Sequence, residues 1–394
     1  MSIEATELPK LLSPCLHHLP GELQDRQTRI RNRHTDLLVN QQSADTLRLR
    51  SQIIQNVRQF FLNDGFMEVE TPILADSAGG AIARAFKTNA TEFPERKLSL
   101  RIAPELWLKR LVLGGFDRVF EIGRSFRNEG RLVPMKVKPA KLTLSGLDLT
   151  HNPEFTTCEF YKAYADLEEL IGMTEVLLAS LADAASELKR TDLTSLQPLD
   201  LNFTSPFNRI DFIPAIESLI DRPLPNLTAE NAPANLLQLF GELSISSPAS
   251  PTLPRLLDKL SSHFLEPQCI VPTFIVHHPE CLSPLSKSFL HPTTNQRVSA
   301  RAELFVNGRE IINTYEEENS PFEQRRRFNE QLQYRDDENE AKVDESYLEA
   351  LEWGLPPTGG WGCGIDRLCM LFAGTGRIGD VLSFGTLRNV VALR

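Results

Sequence analysis

Apolar residues first recur at helical spacing at Ile53, Ile54, Val57, Phe60 and Phe61, and the run stops at Asn63-Asp64-Gly65, a breaker sequence. This pattern predicts a helix over 46–63 and a strand over 66–71, closed by Pro72. Proline has no N–H to give a central ladder, so that strand belongs at a sheet edge or an interface. Residues 1–45 are polar and read as an extended lead-in. Strands are predicted again at 118–127 and 155–164, and a helix at 166–188. The proline-studded stretch 190–262, with short helical pieces such as 236–243, reads as a helical insertion or cap. From Thr273 strands return, at 273–278, 301–306 and 309–315, the last two flanking Asn307-Gly308, a strong hairpin signal. Strands far apart in sequence and separated by helices predict an α+β catalytic domain over 46–394, an antiparallel sheet flanked by helices.

Composition narrows the class without naming a function. With 394 residues, 41% hydrophobic and 24% charged, the chain is an ordinary globular protein with enough length for a real core. A formal net charge of -10 argues against a general nucleic-acid coat and confines any such contact to a local basic patch. Cys15, Cys158, Cys269, Cys281, Cys363 and Cys369 form no CxxC pair and none has a histidine at zinc-ligand spacing, so free thiols in a reducing compartment are expected. No apolar run approaches the roughly 18 residues of a membrane span. Glu4, Glu7 and prolines stand where a transit peptide would be basic, so no targeting peptide is visible.

Four segments carry candidate chemistry. Gly359-Gly360-Trp361-Gly362-Cys363-Gly364-Ile365-Asp366-Arg367 sets four glycines before an arginine that opens an apolar helix. Bare backbone of this kind lets a planar ligand approach, with Arg367 as a cation beside it; the alternative is a glycine-rich turn with a surface arginine. On an extended chain, Arg127 and Glu129 project to one face. Farther on, Glu159 and Tyr161 share a face while Cys158 and Phe160 point the other way, which makes Cys158 core rather than nucleophile. In the hairpin, Phe305 sits opposite Glu310 and Glu303 opposite Ile312, so Glu303 and Glu310 are diagonal neighbours. Two such carboxylates suit Mg2+ shared with phosphates, or are solvated glutamates on an exposed face. Gly374-Thr375-Gly376-Arg377-Ile378-Gly379 spells GxGxxG, but only 15 residues follow, too few for a strand-helix-strand unit, so it reads as a turn. With no GxxxxGK loop, any nucleotide falls to arginines, Mg2+ and backbone.

Together these segments resemble the class II aminoacyl-tRNA synthetases, and within them the lysyl-tRNA synthetases. The helix and strand ending at Pro72, the Phe126-Arg127-Asn128-Glu129 run with 151–159, and the 359–367 segment match the three class-defining motifs. Arg301-Ala302-Glu303-Leu304-Phe305, Ile102-Ala103-Pro104-Glu105-Leu106 and Asn313-Thr314-Tyr315-Glu316-Glu317 add the lysine-specific signature. The similarity runs from about residue 10 to 385, and the C-terminal part most resembles fungal mitochondrial members. It implies L-lysine, ATP and the acceptor end of tRNA(Lys) as partners, Mg2+ as cofactor, a homodimer, and no membrane. By the same resemblance the location is mitochondrial, with cytoplasmic as the alternative. Arg127 would bind the ATP α-phosphate and the substrate carboxylate, and Arg367 the γ-phosphate end, the two forming the catalytic pair. Glu129 and Gly364 would also belong to the ATP site; Phe155 would stack on adenine with His151 helping, and Glu303 and Glu310 would hold Mg2+. The lysine pocket would comprise Glu105 for the α-amino group, Tyr161, Tyr315 and Glu317 for the side-chain ammonium, and Asn313 and Glu159 assisting. Carboxylates suit a buried ammonium, whereas an aspartate substrate would need an arginine there.

Three departures from the family stand out. Residues 131–147 interrupt the ATP-binding loop with Arg131, Lys136, Lys138 and Lys141 and no acid. They are either a basic extension toward the tRNA acceptor end or a passenger such as a translated intron, and the passenger is favoured because such loops tolerate little added length. The family's N-terminal anticodon-binding OB-fold is not matched, and 1–45 reads as its trailing remnant plus a linker. Glu316, Glu318 and Ser320 replace less charged or differently placed residues beside the lysine pocket. Competing readings are a lysyl-adenylate-forming paralogue that modifies a protein or small molecule, and a non-catalytic synthetase-like protein. One geometric expectation follows as well. Glu310 and Asn313 are three apart yet both should reach the site, so a β-bulge or sharp twist is expected between Ile311 and Asn313.

Overall fold

A computed structural model describes residues 10–76, 83–128, 150–334 and 343–387. The lead-in is not extended throughout: α1 (Arg26–Arg31) and α2 (Arg33–Val39) precede α3 (Gln41–Asn63), which begins five residues before the expected helix. Asp25 caps α1 by accepting from the Thr28 N–H at 2.8 Å, a local signal that outweighs the stretch's overall polarity. On α3, Leu49, Ile53, Val57 and Phe61 form one buried stripe. The strand expected over 66–71 shrinks to β1 (Met67–Glu68), paired parallel to a neighbour on one side only, as the proline argument requires of an edge.

A small sheet follows from β2 (Leu74–Ala75), β3 (Lys87–Ala90) and β4 (Phe93–Leu100), then α4 (Glu105–Leu113). The main strands β5 (Arg118–Phe126) and β6 (Glu154–Ala163) and the long α5 (Leu167–Thr191) fall where periodicity put them. α5 is capped by Asp166, with Glu168 and Glu169 in its first turn and Lys189 and Arg190 in its last, each sign complementing the helix dipole. The 190–262 stretch is helical in α6 (Phe212–Ile220), α7 (Ala232–Glu242) and α8 (Leu253–Phe264), but it also holds β7 (Asn208–Asp211), an edge strand of the main sheet. That strand escapes notice because Asn-Arg-Ile-Asp has one apolar residue in four.

After β8 (Thr273–Val276) come a two-stranded ribbon, β9 (Ser288–Leu290) and β10 (Arg297–Ser299), and the hairpin of β11 (Arg301–Val306) and β12 (Arg309–Glu316). α9 (Pro321–Leu332), α10 (Glu345–Leu351), β13 (Thr358–Gly364), α11 (Ile365–Ala373) and α12 (Ile378–Val381) complete the order. The main sheet runs β1-β5-β6-β13-β12-β11-β8-β7. Its interior is antiparallel as expected; only the edge strands β1 and β7 pair in parallel, so the sheet is mixed. α3, α5 and α11 cover one face around Phe61, whose ring lies 5.1 Å from Phe160 and 5.5 Å from Trp361. On the opposite face α6, α7 and α8 pack around Ile275 and Phe305, and α4 and α10 around Val119 and Tyr161, which leaves the middle of the sheet to the site. α11 ends at Gly374, which takes φ +68, so the GxGxxG run begins as the turn the sequence implied, and its last two residues, Ile378 and Gly379, open α12.

Candidate active site

A cavity of about 480 Å3 opens over the middle of the sheet. β6 supplies Phe155, Thr157, Glu159 and Tyr161 to it. Strand alternation sends Cys158 and Phe160 into the core, 0% and 1% exposed. All six cysteines are free thiols. β13 presents Gly360, Gly362 and Gly364 to the cavity, while Trp361 stacks on Phe160 at 5.2 Å and donates its indole N–H to Thr174 at 2.9 Å. The glycine run is therefore the central strand of the floor, and bare backbone faces whatever the cavity holds.

The hairpin carries a register shift. Val306 pairs with Arg309 and Phe305 with Glu310, as a two-residue turn dictates, but Leu304 pairs with Ile312, leaving Ile311 as the extra residue. Glu303 therefore lies opposite Asn313 rather than Ile312, and the bulge comes one position earlier than expected. Its consequence is the anticipated one: Glu310, Asn313 and Tyr315 all line the cavity.

The cationic end is built from two arginines on different elements. Arg127 follows β5, is tied by its backbone N–H to Pro153 O at 2.8 Å, and lays its guanidinium 5.1 Å from the Phe155 ring. Among the described residues its Nε has no hydrogen-bond partner. Arg367 on α11 donates to Glu310 O at 3.0 Å and to His151 Nε2 at 2.8 Å. His151 Nε2 therefore accepts, and its Nδ1, 3.1 Å from the Thr150 hydroxyl, carries the proton. Asp366 does not face outward with Arg367 but anchors the helix start: it pairs with Arg50 of α3 at 2.7 Å and accepts from the Thr156 N–H at 2.9 Å. Gly364 lies at the head of that helix. Glu129 and the 131–147 insertion lie outside the described residues.

The carboxylate pair is asymmetric. Glu303 is half-buried and does not line the cavity directly; one oxygen pairs with Arg301 and the other lies 3.1 Å from His278 Nε2. Burial by itself raises the Glu303 carboxyl, but Arg301 and His278 outweigh it and bring it down to about 2. The Glu310 carboxyl is pushed up by desolvation and then by the Glu303 charge, against the pull of Arg367. A divalent cation would reverse that push, and an all-oxygen donor pair is what Mg2+ prefers. The Glu310 carboxylate, which lines the cavity, therefore suits the ion, and Glu303 joins it by giving up Arg301 or His278.

At the anionic end, Glu105, the first residue of α4, accepts the Tyr315 hydroxyl at 2.6 Å. Glu159 has its carboxyl pushed up to about 8 by burial and by Glu105, with Arg127 and Arg101 opposing. Glu317 is fully buried just behind the lining, and Gly360 explains how it is reached: a Cβ there would collide with the Glu317 carboxylate. Asn313 accepts at its Oδ1 from the Arg301 Nε–H at 2.8 Å, which leaves its NH2, a donor, for the cavity. Sequence reasoning missed Lys109, buried between Glu105 and Glu317, though a lysine four residues after a glutamate inside Leu-Trp-Leu-Lys-Arg-Leu-Val was the available signal. It also missed the Arg101–Glu121 pair, 2.6 Å apart and both buried, which fixes β5 beneath the site and has no local signature.

The family description tRNA synthetases class II (D, K and N) matches residues 25–388. Among curated relatives, the mitochondrial lysine--tRNA ligase of Schizosaccharomyces pombe is 44% identical over 99% of this chain and 70% of its own length. Lysine--tRNA ligase cla4 of Cladosporium cladosporioides is 42% identical over 99% of this chain and 64% of its own length. The lysine--tRNA ligase of Escherichia coli is 40% identical over 99% of this chain and 73% of its own.

Proposed function

Because this chain belongs to the class II tRNA synthetases of the D, K and N group, we infer that it is a lysine--tRNA ligase, which activates L-lysine with ATP and passes it to tRNA(Lys). The observation that carries the choice of amino acid is the division of one cavity into an arginine end, Arg127 and Arg367, and an end walled by Glu105 and Glu159 with Glu317 buried behind it. Phosphates go to the first and ammonium groups to the second.

In this reading Arg127 binds the α-phosphate and the lysine carboxylate together, Arg367 takes the γ-phosphate end, and Phe155 stacks on adenine with His151 helping. Glu303 and Glu310 hold Mg2+, which when bound neutralises charge on the phosphates. Glu129 joins the ATP site by its place in the sequence. The lysine carboxylate attacks the α-phosphorus; a new C–O–P linkage forms and the bond to pyrophosphate breaks. No general base is needed, since the nucleophile is already an anion, and positioning with charge neutralisation does the work. The terminal ribose hydroxyl of tRNA then attacks the lysyl carbonyl and AMP leaves.

The resemblance implies a homodimer paired through the helix 46–63 and the strand ending at Pro72, and in this reading the contact lies at the edge that carries β1, where Met67, Ile73 and Leu74 are 40%, 44% and 50% exposed. The apolar stripe of α3 is used by the chain's own core. The mitochondrial name of the S. pombe relative supports a mitochondrial location, while relatives such as that of Encephalitozoon cuniculi carry cytoplasmic names. Among the described residues no helix is long and apolar enough to cross a membrane.

The test is lysine-dependent ATP–pyrophosphate exchange followed by charging of purified tRNA, with and without residues 131–147. Lysine-driven exchange and charging are expected, much stronger without the insertion. Equal exchange by both forms removes the passenger reading; exchange driven by aspartate or asparagine sinks the lysine assignment. Exchange without charging favours the paralogue that hands lysine elsewhere.

A further inference from the structure

α4 buries Leu106, Leu108 and Val112, and among them Lys109, whose side chain is 0% exposed. An ammonium out of water must be paired or shed its proton. Lys109 Nζ donates to Glu105 Oε1 at 2.7 Å and pairs with Glu317 Oε2. Tyrosine rings from three elements close round it, Tyr161 of β6 and Tyr315 of β12 with centroids 5.8 Å away and Tyr347 of α10 at 5.9 Å. The other charged groups that act on this cluster are Glu159, with Arg127 and Arg101 bearing on it, and Arg301 beyond Tyr315. Lys109 is thus an internal cation behind the pocket wall.

The far side of Glu317 is different. Its Oε1 is fully buried, has no hydrogen-bond partner among the described residues, and lies in the notch left by the missing side chain of Gly360, which itself lines the cavity. A buried carboxylate oxygen without a donor is costly unless a ligand supplies one. Counting charge points the same way. Glu105, Glu159 and Glu317 set three carboxylates against the single Lys109, and the surplus matches the two ammonium groups of a diamino acid whose carboxylate faces Arg127.

Resting on the lysine reading above, we propose that Lys109 is a positioning residue for substrate selection: it anchors Glu317 through Oε2 and leaves Oε1 facing the Gly360 notch, where the side-chain ammonium of the substrate binds. Removing the anchor also removes the one positive charge that opposes burial, Glu105 and Glu159 at the Glu317 carboxyl. Burial already holds the Glu317 carboxyl above its ordinary range with Lys109 in place; without Lys109 it is raised further, so the variant recovers the Glu317 charge at higher pH than the wild type does.

The experiment is calorimetric binding of L-lysine, and separately of ATP, to the full chain and its Lys109→Met variant between pH 6.5 and 8.5. At pH 7 the variant is expected to bind lysine at least tenfold more weakly and ATP within threefold of wild type. The ratio of variant to wild-type lysine Kd should fall as pH rises; taking the ratio removes the titration of Glu159, common to both proteins. An unchanged lysine Kd, or lysine and ATP weakened together with a ratio flat in pH, overturns the proposal. If Lys109→Met does not fold, because two carboxylates lose their partner, the neutral pair Lys109→Met with Glu317→Gln replaces it and is compared with Glu317→Gln alone. Lysine Kd values within threefold then support action through Glu317, and a further tenfold loss refutes it. Failure of the wild type to bind lysine would instead defeat the lysine assignment, and this proposal with it.

Discussion

Gly360→Ala isolates the geometry on which lysine recognition turns. The new methyl carbon would overlap the Glu317 carboxylate and stand 2.8 Å from Tyr161 Cε1. Neither neighbour has room to yield. Tyr161 is 3% exposed and pairs across the ladder with Gly360, and Glu317 is held by buried Lys109. Over-packing of a tight site costs about 1–3 kcal/mol, whereas breaking a buried ion pair costs about 3–5 kcal/mol. The cheaper route is a strained shift of Glu317 with the pair retained, so a stability loss of about 1–3 kcal/mol is expected. Displacing the carboxylate from the ammonium by that strain should weaken lysine binding at least about tenfold, or about 1.4 kcal/mol. Gly362→Ala is the control two residues along the same strand. Its Cβ meets Glu159 Cγ at 3.6 Å and Asn313 O at 3.9 Å, both ordinary contacts, and stability should stay within about 0.5 kcal/mol. Denaturant unfolding gives the first quantity and lysine KM in pyrophosphate exchange the second, with ATP KM as internal reference. If Gly360→Ala unfolds with the wild type and keeps its lysine KM, Glu317 does not occupy the notch and the account of the pocket fails.

Glu317→Gln should raise lysine KM by orders of magnitude, since losing a charge opposite a buried ammonium costs roughly 2–5 kcal/mol, while ATP KM stays within a few-fold; an unchanged lysine KM would remove Glu317 from the pocket. The Glu159 carboxyl, raised to about 8, is protonated in the free protein at pH 7, so its contribution to stability is greatest below the unfolded value and is lost as pH rises through about 8. An entering ammonium should expel that proton, and calorimetry at pH 7 in buffers of different ionisation heat should show up to about one proton released per lysine, vanishing above pH 9; no buffer dependence at pH 7 would contradict it. Sedimentation at micromolar concentration should find a dimer that charges at Met67, Ile73 or Leu74 weaken; a wild-type monomer would refute the assembly.

Local periodicity was enough to place α3, β5, β6, α5, β8 and the hairpin, because each is set by which side chains recur on one face and by turn residues next to it; that the glycine run is a strand came only from the fold. Residue spacing alone also put Glu159 and Tyr161 on one side of β6, and the three-residue offset of Glu310 and Asn313 required a break in the ladder. Local signals failed where neighbours distant in sequence did the work. β7 is a strand because β8 offers an edge, and its own residues barely alternate. The bulge fell on Ile311 because a two-residue turn fixes Phe305 opposite Glu310, so the slack had to be taken up at the next position. Lys109 reads as one more charge on a helix until tertiary packing surrounds it with Glu105, Glu317 and three tyrosines. Sequence determined which groups the chain possesses and their local facing; which of them share one low-dielectric space, where a carboxylate needs a cation and a glycine admits what a methyl would exclude, was decided only by folding.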